Sequence, residues 1–324
     1  MPRSQLNERA GVDIVLGRRL VSASALLAFV LACIGLDLWR PIAGVPGWWM
    51  LPVYFLLVLG TVREMGELVA ARWSVEPKRV LMGAAVAASA PLFPMVYSTC
   101  MGRSYPADCP VGSFGWIVLG VVLATLLLGC DALMRFSKAS AGSVEGGPEQ
   151  VALGWMLSVA ILAYVVMPMS IWWLIRQHGS SAQGMANMVG IALVTKMADT
   201  GAYFFGKLFG RTKLSPAISP GKTIEGLLGG IVVACVACFG FFRLLVPALG
   251  LQIGSTGWWG PCLLALLLAV GGLVGDLIES MIKRSVGKKD SGNQLPGLGG
   301  VWDVTDSLIP AAALGYLGIL SGLN

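Results

Sequence analysis

Charge is what this sequence has least of. Only 12% of its 324 residues are Asp, Glu, Lys or Arg, against 56% hydrophobic residues, whereas a soluble domain carries roughly 25% charged residues. Half that share cannot cover a water-facing body, so lipid must be the solvent along much of the chain, and no stretch is polar enough to form a separate soluble domain. Histidine is almost missing. The single one, His178, lies between two apolar segments and reads as an ordinary loop residue. Five of the seven cysteines (Cys33, Cys130, Cys235, Cys238 and Cys262) sit inside apolar runs, as buried inert thiols do, and no Cys/His cluster suggests zinc. There is no internal repeat. The net charge of +6 reports, in such a chain, topology and contact with anionic headgroups, so no nucleic-acid partner is expected.

What the chain has instead is apolar runs of the length a bilayer requires, about 20 residues each. They fall near 20–38, 46–62, 81–98, 114–134, 151–175, 183–206, 223–242, 258–282 and 304–322, predicting an all-α, polytopic integral membrane protein with about nine transmembrane helices. Eighteen basic residues lie in one set of loops and only four (Arg40, Arg103, Arg176 and Arg243) in the alternate set. That asymmetry predicts a cytoplasmic N-terminus and an outer C-terminus in the cell (inner) membrane. It also puts the polar loop of Cys100 and Cys109 outside, where an oxidising compartment would allow a disulfide. Arg18-Arg19 followed by an apolar run to Cys33 is similar to a lipoprotein-type signal, but cleavage would invert the parity that the charges support, so the segment is expected to stay. The stretch 136–150 reads as a flexible cytoplasmic loop.

The acids divide the chain. Residues 1–182 hold only scattered ones, mostly in loops, and read as a transmembrane scaffold. Residues 183–324 read as the catalytic region, because Lys196, Asp199, Glu225, Asp276 and Glu279 enter apolar segments there. A charge at membrane depth is costly and usually faces a polar cavity. For Lys196 and Asp199, three residues apart, a buried ion pair is the alternative. Asp199, Tyr203 and Gly206 share one helical stripe. SPGKT at 219–223 lacks the Gly that a P-loop needs at the position of Pro216. It reads instead as a helix start, with Ser219 as cap, Pro220 in the first turn and Lys222 and Thr223 just inside, and such a start attracts anions. Farther on, Asp276, Ser280 and Lys283/Arg284 recur at helical spacing. A glycine-rich loop with Lys288, Lys289 and Asp290 follows, and Asp303 and Asp306 then open the final helix on one face. Carboxylates from two helices suit a hard cation such as Mg²⁺, lysines suit phosphate oxygens, and glycines let backbone amides approach. Without a usable histidine, that set spells metal-assisted phosphoryl chemistry.

At these residues the chain resembles the membrane CDP-diacylglycerol synthases, or phosphatidate cytidylyltransferases. Ser280, Lys283-Arg284, Lys289-Asp290, Pro296-Gly297, Gly299-Gly300, Asp303 and Asp306 stand in register with that family's signature. So does the upstream run Asp199, Tyr203, Gly206, Ser219-Pro220, Lys222-Thr223 and Glu225-Gly226. The likeness covers roughly 190–310. It implies CTP and phosphatidate, or a related lipid phosphate, as partners among membrane lipids, and Mg²⁺ as cofactor. Asp276 and Asp303 would then be the metal ligands, with Lys283, Arg284 and Lys289 acting on phosphates at the catalytic centre. Asp199, Tyr203, Ser219, Lys222, Thr223, Glu225, Ser280, Asp290, Gly297, Gly299, Gly300 and Asp306 would bind substrate. The oligomeric state is open, a homodimer included. The family His is Leu298 here and the family Arg is Val304. An ionised phosphate nucleophile needs no general base, so the enzyme reading survives both changes. Two alternatives remain: a CTP-dependent enzyme acting on a polyprenyl alcohol or phosphate, and a non-catalytic paralogue.

Overall fold

The computed structural model describes residues 3–106, 108–140, 147–288, 291–292 and 299–324. They form nine helical rods and one small hairpin. The first four rods are α1 (Arg3–Trp39), α2 (Leu51–Ala70), a rod made of α3 (Pro77–Ser89) and α4 (Phe93–Met101), and α5 (Gly112–Ser140). Next come α6 (Gly147–Ile161) running on into α7 (Met167–Arg176), and then α8 (Ser181–Phe209). The hairpin of β1 (Lys213–Ser215) and β2 (Ser219–Thr223) leads into α9 (Ile224–Phe239), which continues as α10 (Val246–Ala248). The last two rods are α11 (Trp259–Ser285) and the pair α12 (Trp302–Thr305) and α13 (Leu308–Leu320).

Where a rod is interrupted, a proline stands nearby. A proline ring clashes with the carbonyl four residues back and removes one N–H. The chain meets this with a 3-10 turn at Ala90–Leu92, around Pro91. Before Pro168 and Pro247 it uses π-helical turns at Leu162–Val166 and Gly240–Leu245. At Pro310 the cost falls on Asp306, and the helix breaks between α12 and α13. Asp303 and Asp306 therefore do not share a continuous helix.

Each of the nine expected runs coincides with one rod. Among the described residues, seven rods are long and apolar enough to cross a membrane. The other two are α2, which carries Arg63, Glu64 and Glu67, and α8, diluted by Lys196 and Asp199. The chain is an all-α polytopic membrane protein. Large apolar side chains such as Leu123, Leu126, Leu127 and Val236 face outward, as lipid solvent requires.

Side-chain contacts sort into two ends, as expected for rods of alternating direction. At one end Asp37 meets Gly47 and Arg176, and Arg243 reaches the carbonyls of Gly254 and Gly257. At the other, Arg79 and Arg135 bridge to Asp131 and Glu76, and Arg72 bonds the Ser285 carbonyl. Two expectations are corrected. SPGKT is no helix start: Ser219–Thr223 pairs antiparallel with Lys213–Ser215, and the cap is Thr223, whose hydroxyl accepts the Gly226 N–H at 3.1 Å. Local capping rules missed the cross-strand pairing that draws this segment into a strand. Cys100 and Cys109 are both free thiols. The Tyr105 hydroxyl donates to Cys109 Sγ at 2.8 Å, which holds that thiol below its ordinary range.

Candidate active site

Close backbone approach builds this site, and two glycines show how. A Cβ on Gly230 of α9 would lie 2.8 Å from the Ala198 carbonyl oxygen of α8, so those two helices touch almost backbone to backbone. A Cβ on Gly275 would overlap the Asp306 carbonyl, so α11 presses on the α12–α13 break. Small residues let membrane helices pack this tightly. Between α8, α9, α11 and β2 a cavity of about 410 Å³ remains, within the usual range of ligand pockets.

The stripe read from the sequence, Asp199, Tyr203 and Gly206, faces that cavity, and Ser219, Lys222, Thr223 and Asp276 complete its polar lining with Lys207. Most of the remaining wall is Gly, Ala and Leu. Lys222 Nζ lies 2.7 Å from Asp276 Oδ2. The expected pair of Lys196 and Asp199 is 3.5 Å apart, and Ser307 mediates it. Lys196 Nζ donates to Ser307 Oγ at 2.7 Å, and that hydroxyl donates to Asp199 Oδ2 at 2.9 Å.

Behind Asp276 the acids crowd. Asp276, Glu279 and Asp306 each present an oxygen, all within 4.8 Å of one another. Lys283 Nζ lies 3.0 Å from Glu279 and 2.8 Å from Asp303. Asp303 Oδ2 accepts from Ser291 Oγ at 2.7 Å and from the Gly300 N–H at 2.6 Å. Like charges this close repel strongly outside bulk water, and three lysines (Lys196, Lys222 and Lys283) face five carboxylates here. An all-oxygen group with excess negative charge fits a hard divalent cation. The oxygens that converge belong to Asp276, Glu279 and Asp306, whereas the Asp303 carboxylate is taken up by Lys283, Ser291 and Gly300.

Other expected residues divide by position. The Glu225 carboxylate accepts the backbone N–H groups of Arg211 and Thr212 at 3.1 Å, so it fastens the hairpin. Gly299 has φ of +92°, a conformation glycine adopts without steric cost. The Gly300 N–H is committed to Asp303. Ser280 is half-buried and Arg284 exposed. Lys289, Asp290, Pro296, Gly297 and Leu298 lie outside the described residues.

The sequence reading passed over Glu64. It is 1% exposed and reaches the signature segment from α2, in the half read as scaffold. Its signal was an acid beside Gly60 and Thr61 on one face of an apolar run.

Comparison with known proteins agrees with this architecture. Residues 18–321 match the profile of the cytidylyltransferase family. The chain is 34% identical over 212 residues to YnbB, a protein of Escherichia coli (strain K12) described as uncharacterized, an alignment covering 60% of this chain and 66% of that protein. It is 38% identical over 204 residues to a phosphatidate cytidylyltransferase of Brucella suis biovar 1 (strain 1330), covering 63% and 72% of the two chains. A phosphatidate cytidylyltransferase of Staphylococcus haemolyticus (strain JCSC1435) is 40% identical over 132 residues, 41% of this chain and 48% of its own. A family match running through nearly every rod leaves one assignment: the chain belongs to the cytidylyltransferase family of nucleotidyltransferase enzymes.

Proposed function

We propose that this protein transfers the cytidylyl group of CTP to phosphatidate, giving CDP-diacylglycerol and pyrophosphate, with Mg²⁺ as its metal. The observation that carries the reading is the pairing of Lys222 with Asp276 on the wall of the cavity, where the Asp276 carboxylate also converges with Glu279 and Asp306. Two of the relatives above bear the name phosphatidate cytidylyltransferase, which supports the lipid substrate.

In the reaction, an oxygen of the phosphatidate phosphate attacks the α-phosphorus of CTP, and the bond from that phosphorus to the bridging oxygen of the pyrophosphate breaks. The electron pair leaves with pyrophosphate. The attacking phosphate is already ionised at neutral pH, so no side chain has to remove a proton. Asp276, Glu279 and Asp306 would hold Mg²⁺, which when bound supplies charge neutralisation at the phosphate oxygens. Lys222, on the cavity wall, offers its ammonium to those oxygens, and Lys283 and Lys196 limit the charge left on the acids. The Gly, Ala and Leu part of the wall suits the lipid's apolar body.

With eighteen basic residues on one side and four on the other, the same reading sets the chain in the cell (inner) membrane, N-terminus in the cytoplasm and C-terminus outside. The test is incubation of the purified protein with CTP and either phosphatidate or a polyprenyl phosphate, with Mg²⁺ or with EDTA, followed by mass spectrometry of the lipids. CDP-diacylglycerol formed only with CTP and Mg²⁺ is the expected result. A product on a polyprenyl lipid in place of phosphatidate would overturn the substrate.

A further inference from the structure

We infer that Glu64 is a positioning residue of the active site, holding the turn that carries Asp303 and Asp306. Glu64 Oε1 accepts the Val301 N–H and Oε2 the Trp302 N–H, both at 2.9 Å. These N–H groups open the single turn of α12, and a carboxylate that accepts two of them makes charge-assisted hydrogen bonds. Ser291 Oγ gives its one proton to the nearer Asp303 Oδ2, at 2.7 Å, so Glu64 bears on Asp303 through the backbone of Val301 and Trp302.

The surroundings fit around this one side chain. A Cβ on Gly292 would lie 2.7 Å from Glu64 Oε1, and one on Gly300 would overlap Oε2. The glycines that open and close the signature loop therefore make room for Glu64. Nearby, Thr61 Oγ1 and Thr305 Oγ1 are 2.7 Å apart, and the buried Trp302 belongs to the same apolar cluster as Val58, Val62 and Met65 of α2. Arg72, on the turn after α2, bonds the Ser285 carbonyl at 2.6 Å. The α2 rod and the turn after it thus grip the chain on both sides of the loop, at the start of α12 and at the end of α11. Glu64 touches neither the cavity nor the converging oxygens of Asp276, Glu279 and Asp306; it acts through the backbone of the turn.

The kinetic half of the test rests on the proposed cytidylyl transfer, and the other half does not. Glu64→Gln keeps size and shape but sets an amide NH₂ against one of the two backbone N–H groups. Glu67→Gln, an exposed acid on the same helix, is the control. Outer-shell partners of such sites typically control activity by about ten to a hundredfold, so Glu64→Gln is expected to lower kcat about tenfold or more. The KM values for CTP and phosphatidate should stay within about twofold, the mark of lost alignment rather than lost binding. Tryptic cleavage after Arg284 and Lys288 should speed up in Glu64→Gln and stay unchanged in Glu67→Gln. Unchanged kcat, unchanged cleavage, or a KM rise that accounts for the whole loss each overturns the proposal. If Glu64→Gln does not fold, Gly292→Ala, which presses on the same oxygen from the loop side, is read the same way. If the wild-type chain makes no product, the cytidylyl reading fails and the tryptic rates alone decide on Glu64.

Discussion

Two buried charge clusters lie at opposite ends of this bundle, and they solve the same problem differently. At one end Asp37 and Arg176 are 0% and 1% exposed and answer each other fully. Arg176 Nε donates to Asp37 Oδ2 at 2.9 Å, Gly47 N–H donates to Oδ1 at 2.8 Å, and the Arg176 fork also reaches the Ser181 carbonyl. At the other end Asp199, Asp276, Glu279, Asp303 and Asp306 share three lysines around a cavity. The first cluster is the more deeply buried, yet it is closed and has nothing left to offer. The second is less buried and leaves carboxylate oxygens in surplus. Depth alone marks a joint in the frame; unanswered charge beside an open volume marks chemistry.

Breaking each cluster should separate the two roles. Asp276→Asn removes a charge from the convergent oxygens and the partner of Lys222. Turnover is expected to fall by at least about a hundredfold, as when a main electrostatic contact to the transition state is lost, while the melting temperature in detergent changes little. Arg176→Met should do the reverse. Removing one member of a buried pair costs about 3–5 kcal/mol, read as a large drop in thermal stability, with activity per folded molecule retained. If Arg176→Met melts normally and loses turnover, the contrast drawn above is wrong.

The next effect is smaller. Lys222→Ala should raise the KM for CTP by about tenfold, the worth of one hydrogen bond to a charged group, with kcat less affected. Equal KM values for both proteins would remove Lys222 from the phosphate contacts. Glu225→Gln loosens the hairpin without touching the cavity. Because exposed charge contacts contribute little, a change of about threefold or less in KM is expected, with no shift in metal requirement.

The smallest effect belongs to Cys100, on the last turn of α4, and Cys109. Cys100 and Cys109 should alkylate without prior reduction, and Cys109 should react at a lower pH than an ordinary thiol because the Tyr105 hydroxyl favours its thiolate. Tyr105→Phe should raise that pH. Labelling that appears only after reductant would restore the disulfide.

How much of this was legible beforehand follows from distance along the chain. The nine rods could be read because a span is a local property: about 20 apolar residues suffice. The stripe of Asp199 and Tyr203 was legible for the same reason, since helical spacing is local too. Glu64 was not, because its backbone partners are 237 and 238 residues away and its neighbours Arg63 and Glu67 make it look like one more loop-end charge. Asp303 and Asp306 could be found but not sorted, because the break forced by Pro310 aims them at different partners. Ser219 was misread as a cap because Pro220 imitates a first helical turn, while the pairing with Ser215 that makes it a strand is invisible to a local rule.

The Glu64 contact also bears on how the chain is made. A ribosome adds about 5–20 residues per second, so the 237 residues between Glu64 and Val301 take about ten to fifty seconds to synthesise. Throughout that interval α2 carries a carboxylate whose N–H partners do not yet exist, and hydrocarbon does not solvate it. The contact that fixes the end of the second rod therefore forms only after the last rod is made. Assembly of the bundle is completed from its final segment backward to one of its first. A chain stalled before Gly299 is marked as unfinished by the same acid that fastens the finished one.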